Sequence, residues 1–305
     1  MNKQPLVSIC SLTYNHALFI RQCLDGMLMQ QTNFPFEIII NDDCSTDGTT
    51  EIIRDYAEKF PEIIKPIFHE ENQYQKGLRG FFQKFVFPKA QGKYIALCEG
   101  DDYWTDPLKL QKQVDFLETH PDYSLCFHNA MVHYEDGKST DHIFAELKTK
   151  EYNRKELTEK WLAPTASFLL RKDILFSEWY KKITESKKLL YADFPLLICS
   201  SYCGKIWCIA DVMSIYRKHE GGIMNTYNSI QNKICVHCIE LKKIFPKDFY
   251  PLINQSIGKF AIISLSKIKR GHIISGFSLF YKAFINAPKE TYSIIKLYLE
   301  RKLCQ

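Results

Sequence analysis

LVSICSLT (residues 6–13), FEIIIND (36–42), IIKPIFH (63–69) and KYIALCEG (93–100) are four apolar segments rich in β-forming residues, and they read as buried strands. Between the first two lies HALFIRQCLDGMLMQ, with Leu18, Ile20, Cys23, Leu24, Met27 and Leu28 at helical spacing. After the second comes TTEIIRDYAEKF, preceded by Ser45, Thr46 and Asp47 as capping candidates. Strand and helix alternate, which predicts βαβ crossovers, an α/β class and a mostly parallel sheet. In such sheets ligands collect just beyond the carboxyl ends of the strands. The chemistry is therefore expected in loops 13–16, 41–48 and 99–106.

Further along, LKLQKQVDFLETH (108–120) is an amphipathic helix and DYSLCFHNAMVHY (122–134) returns to strand-like alternation. A polar stretch from about 135 to 163 reads as irregular. TASFLLRKD (165–173), a helical region around 173–200 and KIWCIADVMSIYRKH (205–219) continue the α/β pattern before a mainly helical C-terminal part. The division expected is a main domain over 1–225 and a basic helical region over 226–305.

At 305 residues, 46% hydrophobic and 25% charged, the chain suits one large globular domain or two smaller ones. Its net charge of +5 hides an asymmetry: residues 226–305 carry 13 Lys and Arg against 4 Asp and Glu, the remainder 27 against 31. With aromatics interleaved, as in KIKRGHIISGFSLFYKAF (267–284), that tail fits either an anionic membrane surface or a solvated helix pair packed on the main domain. No nucleic-acid partner is expected. No apolar run reaches the length of a membrane span, and the N-terminus lacks the pattern of a signal peptide. The eleven cysteines are scattered through core segments (Cys10, Cys98, Cys126) and read as reduced thiols. A cytoplasmic protein, peripheral at most on the inner face of the cytoplasmic membrane, is the expectation.

Two loops carry chemistry. NDDCSTDGTT (41–50) sets Asp42 and Asp43 at a strand end, where a carboxylate can accept hydrogen bonds from a base or ribose. Ser45 and Asp47 serve equally as turn and cap residues. EGDDYW (99–104) places three carboxylates within four residues, which repel one another unless a cation sits among them. All-oxygen ligands suit Mg²⁺ or Mn²⁺, whose open positions take phosphate oxygens. Gly100 permits the tight turn. Trp104 suits either a sugar-stacking role or the core, and Arg79 either a phosphate clamp or a surface loop. Cys235 and Cys238 lack a second pair at zinc spacing, and no GxSxG, P-loop or GxGxxG sequence occurs.

Taken together, TYN (13–15), NDDCSTDGT (41–49) and EGDDYW (99–104) resemble the family 2 glycosyltransferases, inverting enzymes of the GT-A fold, over roughly residues 5–222. The type is that of bacterial polysaccharide and lipopolysaccharide biosynthesis. The resemblance implies a Rossmann-like, mostly parallel mixed sheet flanked by helices. It also implies a nucleotide-sugar donor, most simply UDP-linked, and a glycan or lipid-linked glycan acceptor. Thr13, Tyr14, Asn15, Asp42 and Asp43 would line the nucleotide pocket, with Asp43 at the uracil edge. Asp101, helped by Glu99 or Asp102, would hold Mn²⁺ or Mg²⁺ and the ribose-diphosphate. The family's motif often starts with Asp where this chain has Glu99. The segment Lys76 to Gly80, with Arg79, would shape the donor pocket. Asp193 stands where related enzymes carry the base, with Asp211 as second choice. Arg217 and His219 match the closing loop over the diphosphate, His219 as a metal ligand, while Thr165, Ser167 and Arg171 are candidates for the acceptor wall. The rival readings are a nucleotidyltransferase, which would want a Gly-rich basic loop after the first strand, and a non-catalytic sugar-nucleotide or glycan-binding module of the same fold.

Overall fold

The computed structural model describes residues 4–303 apart from 160, 187, 192 and 223–226. Its first half alternates as the sequence predicts: β1 (Val7–Thr13), α1 (Ile20–Leu28), β2 (Phe36–Asp42), α2 (Thr49–Lys59), β3 (Ile64–Phe68) and β4 (Tyr94–Leu97). Then come β5 (Tyr103–Trp104), α3 (Lys109–Thr119) and the long β6 (Tyr123–Tyr134). The stretch read as irregular holds β7 (His142–Ile143), β8 (Lys150–Tyr152) and α4 (Arg154–Glu159). Elements of two to six residues are too short to show a hydrophobic period, and the two strands among them form by pairing, β7 with β6 and β8 with β10. After these follow β9 (Leu169–Arg171), α5 (Glu178–Glu185), α6 (Asp193–Cys203), β10 (Lys205–Lys218), α7 (Tyr227–Ile244), α8 (Tyr250–Lys269), α9 (Ile273–Asn286) and α10 (Pro288–Leu303).

One sheet runs in the order β3-β2-β1-β4-β9-β6-β10-β5, with β7 beside β6 and β8 beside β10. β1 pairs in parallel with both β2 and β4, so the strand order reverses beside β1. β9 is antiparallel to its neighbours β4 and β6, which makes the sheet mixed. A reversal of strand order opens a crevice above the carboxyl ends of β1 and β4, where helices leave in opposite directions.

The two-residue period of the strands divides their side chains between two cores. Ile38, Ile40, Tyr94 and Ala96 face α1, α2 and α3, meeting Leu24, Met27, Ile53 and Val114. Ile39, Ile95, Leu97, Leu125 and Phe127 face the other way, against Leu197 and Ile198 of α6 and, in the same cluster, Cys235, Ile257 and Leu279 of α7, α8 and α9. The basic helices thus help to cover one face of the sheet. The expected boundary at 225/226 itself lies outside the described residues. Gly26 lets α1 press on β5, since a Cβ there would sit 2.8 Å from the Trp104 carbonyl oxygen.

Candidate active site

The loop after β1 and the loop after β2 are stitched into one floor. Asn15, held at φ 55°, donates its N–H to Ser45 Oγ at 2.8 Å and accepts the Thr46 N–H on Oδ1 at 2.9 Å. His16 N–H reaches Thr49 Oγ1 at 2.8 Å, and Ala17 N–H reaches Asp47 Oδ2 at 2.9 Å. The N-cap of α2 is Gly48 and not one of the candidates Ser45, Thr46 and Asp47, but the other oxygen of Asp47 takes the Thr49 N–H at 3.1 Å. Asp42 corrects an expectation. It is 1% exposed and accepts the hydroxyls of Ser45 and Thr50, so its oxygens serve the loop and do not face a nucleotide. Asp43 stands next to the loop over residues 70–80, taking the N–H groups of Gln73 and Tyr74 at 2.8 and 3.0 Å. Arg79 folds over the Tyr74 ring at 3.9 Å and donates to the Tyr74 carbonyl at 3.1 Å, which braces that loop. Tyr14 is exposed at the rim.

The acidic loop lies directly against this floor. Cys98 N–H donates to Cys10 O at 3.2 Å and Gly100 N–H to Leu12 O at 2.9 Å, so β4 continues alongside β1 into the cluster. A Cβ on Gly100 would meet Thr13 Oγ1 at 2.6 Å and His16 Nδ1 at 2.9 Å, which is why glycine stands there. Asp101 Oδ2 lies 3.1 Å from His219 Nε2 and 3.9 Å from His16 Nε2. Ligand atoms of His16, Asp101 and His219 fall within 4.8 Å of one another, and so do those of Glu99, Asp101 and Asp102. His16 was missed in the sequence. Its one signal was its place directly after TYN, inside a loop already singled out. Its Nε2 faces Asp101, while its Nδ1 is buried against Gly100 with no hydrogen-bond partner. Two imidazoles and three carboxylates make a donor set that fits a divalent cation.

Charge in this cluster is strongly frustrated. Burial pushes Glu99 up to about 8, with the fields of Asp101 and Asp193 adding to it. Asp102 is raised well above the carboxylate range by burial and then by Asp101 and Cys98. Burial raises Asp193 too, against the hydrogen bond from Phe194 N–H. Burial would also raise Asp101, but the His219 hydrogen bond and the neighbouring charges of His16 and His219 outweigh it and hold the carboxyl below its usual value. The Tyr216 hydroxyl is raised by burial and then by Asp102, Glu99, Asp101 and Asp193. The charge of Asp193, at the start of α6, is felt by both Tyr216 and Glu99, so it lies within electrostatic reach of the loop after β4.

Several expected contacts lie elsewhere. Trp104 is 1% exposed and its indole N–H donates to Ala166 O at 2.8 Å, so it is core and offers no face to a sugar. Arg217 gives its backbone N–H to Asp102 Oδ1 at 2.9 Å and its guanidinium to Glu135 at 2.7 Å and to Gln22. With its guanidinium also over the Tyr103 ring at 4.5 Å, it straps β10 to the acidic loop; both terminal nitrogens are engaged, and only its buried Nε is without a partner. Arg171 pairs in register with Tyr94 at the amino end of β4, opposite the end that leads to Glu99, and donates to Leu117 O and Tyr123 O. Ser167 is fully buried and bonds Pro164 O at 2.7 Å, and Thr165 is also buried, so this acceptor wall is not formed by them. Asp211 is exposed and paired with Lys112 at 2.8 Å. Cys235 and Cys238 are free, buried thiols in α7.

A model of glycosyl transferase family 2 matches residues 8–176. The chain belongs to this family. The match runs from β1 through the acidic loop to the turn after β9 and so contains both stitched loops. A Mycobacterium tuberculosis protein of uncharacterized function is 37% identical over 220 residues, 72% of this chain and 61% of the relative. TuaG of Bacillus subtilis, named as a glycosyltransferase of teichuronic acid biosynthesis, is 38% identical over 153 residues, 50% of this chain and 57% of its own. The chain spans about three-fifths of the length of the mycobacterial relatives it matches. Among solved structures, Staphylococcus aureus TarS 1–349 in complex with UDP-GlcNAc superposes with a TM-score of 0.59 at 19% identity, covering 82% of this chain and 69% of that one. The family 2 domain therefore has the GT-A fold implied by its sequence motifs.

Proposed function

We propose that this family 2 glycosyltransferase moves a sugar, with inversion, from a nucleoside diphosphate donor to a hydroxyl of a glycan or lipid-linked glycan at the cytoplasmic face of the membrane. UDP is the first nucleotide to test, because TarS was solved with UDP-GlcNAc. The glycan acceptor is supported by the naming of TuaG. One observation carries the reading: Asp101 lies between His16 and His219 and beside Glu99, whose carboxyl feels both Asp101 and Asp193, above the carboxyl ends of β1 and β4.

The floor of Thr13, Tyr14 and Asn15, with Asp43 and the loop it pins, would cradle the base and ribose. Asp101, His16 and His219, with Glu99 or Asp102, would hold the divalent ion. When bound, Mn²⁺ or Mg²⁺ supplies Lewis-acid neutralisation of charge on the diphosphate. Asp193 would act as general base, accepting the acceptor hydroxyl's proton as the new bond to the anomeric carbon forms and the bond to the diphosphate breaks. Its raised proton affinity suits that task, since a base works best when its pKa approaches the working pH. Arg217 acts from outside the pocket by fixing Asp102 and the strand that carries His219.

The test is release of nucleoside diphosphate from a panel of UDP- and GDP-sugars, with added Mn²⁺ or Mg²⁺ and with excess EDTA. Donor-dependent turnover that stops in EDTA is expected; unchanged turnover removes the metal from the mechanism. Asp193→Asn should abolish transfer while donor binding persists, and a variant at full rate moves the base elsewhere.

A further inference from the structure

The outer face of α9 is apolar where a helix on a water-facing surface should be polar. Its inner stripe, Gly276, Leu279 and Ala283, is buried on α8. Gly276 allows the close approach, since a Cβ there would lie 3.0 Å from Ser264 O. The opposite side carries Ile273, Ile274, Phe277, Tyr281, Phe284 and Ile285, all exposed, with Ile274 at 88% and Phe277 at 61%. Their spacing of three, four and seven residues makes one continuous strip along fourteen residues. Monomeric proteins seldom leave such a strip in water.

Charge identifies what covers it. From Phe249 to Lys289 the chain has six basic residues, Lys259, Lys267, Lys269, Arg270, Lys282 and Lys289, and no Asp or Glu. Lys269 and Arg270 are exposed immediately before the strip begins, and Lys289 is exposed immediately after it ends. Apposing a second copy of this face would bring like charges together around the apolar strip, whereas a surface of lipid phosphates would satisfy them. Among the described residues no helix is long and apolar enough to cross a membrane. An α-helix of this length reaches about 21 Å, short of the roughly 30 Å hydrocarbon core, so α9 lies along an interface and does not span it.

We propose that α9 docks in the plane of an anionic bilayer surface, its outer apolar strip entering the acyl boundary and the basic residues at its two ends meeting lipid phosphates. This deepens the acceptor part of the reading above, since it would hold the site beside a lipid-linked acceptor, but its test reads binding and not turnover. The two readings therefore fail separately.

The experiment is flotation of the full chain with vesicles of phosphatidylcholine alone and with roughly one-third phosphatidylglycerol, at low and high salt. Wild type should float with the anionic vesicles and be released by salt. Ile274→Asn with Phe277→Asn should lower the bound fraction at least about tenfold, because each large apolar side chain returned to water is worth more than a factor of ten. Lys269→Gln with Arg270→Gln should abolish the preference for anionic vesicles. An unchanged melting temperature shows that each variant remains folded. Failure of the wild type to float, equal flotation of the apolar variant, or a solution dimer that the apolar substitutions dissociate would overturn the proposal.

Discussion

Replacing Lys109 by methionine should stabilise this protein, and by an amount that depends on pH. Lys109 is fully buried and its Nζ has no hydrogen-bond partner. Nζ lies 3.8 Å from the centroid of Trp104, under the strand that follows the acidic loop. Burial pulls its pKa from 10.5 down to about 7, against the opposing fields of Cys98 and Cys126. A gap of about 3.5 units corresponds to about 5 kcal/mol at about 1.4 kcal/mol per unit. The Trp104 face favours the charged amine and offsets about 1–2 kcal/mol of that, so about 3–4 kcal/mol remains as the gain for Lys109→Met at neutral pH and below.

The sign follows from proton counting. Between about 7 and 10.5 the unfolded chain holds a proton on Lys109 that the folded chain has released, so wild-type stability rises across that window. Methionine carries no such proton. The advantage of the variant should therefore be largest at and below neutral pH and shrink towards zero as pH approaches 10.5. Urea unfolding of both proteins, followed by circular dichroism and fluorescence at a series of pH values, reads the difference directly. A variant less stable than wild type at neutral pH, or a difference that does not change with pH, would show that Lys109 is charged and well solvated in the fold and would refute the reasoning.

His16→Ala should weaken Mn²⁺ binding about tenfold or more, read by the electron paramagnetic resonance signal of free Mn²⁺, and unchanged affinity would remove His16 from the ligand set. Gly100→Ala should abolish donor binding in calorimetry, because its Cβ would sit 2.6 Å from Thr13 Oγ1; normal affinity would mean that the floor yields without loss. Trp104→Ala should cost about 3–5 kcal/mol in urea unfolding, as a fully buried ring leaves a cavity and an unpaired Ala166 carbonyl. A loss near zero would return Trp104 to the surface. Burial depresses His237 from 6.5 to about 4, so its contribution to stability is present above 6.5 and disappears as pH falls to about 4. His237→Gln should flatten the acid limb of the stability curve by up to about 3 kcal/mol, and an identical acid limb would contradict this.

Periodicity alone located the first half of the fold. Apolar segments at 6–13, 36–42 and 93–100 coincide with β1, β2 and β4, which are buried parallel strands, while 63–69 coincides with β3, the half-exposed strand at the end of the sheet. The short elements between 135 and 163 had no such signature, since two- and three-residue strands are defined by their partners: β7 folds back on β6, and β8 pairs with β10 more than fifty residues later. Residue type likewise marked the acidic loop, because adjacent carboxylates after a central strand are conspicuous in any sequence. It did not reveal which polar side chains were already occupied. Arg217 and Trp104 have the chemistry of ligand contacts, yet one is bound to Glu135 and Gln22 and the other to Ala166 O.

Local pattern and composition sufficed for the α/β class and the basic character of the C-terminal helices, and they singled out the three loops in which chemistry is expected. Only the tertiary structure decided that His16 joins Asp101 and His219, that Asp193 shares a field with Glu99, and that α9 leaves an apolar face outward. Each of these depends on distances between groups up to two hundred residues apart, set by how strands and helices pack around β1 and β4. Local pattern carries no record of such distances.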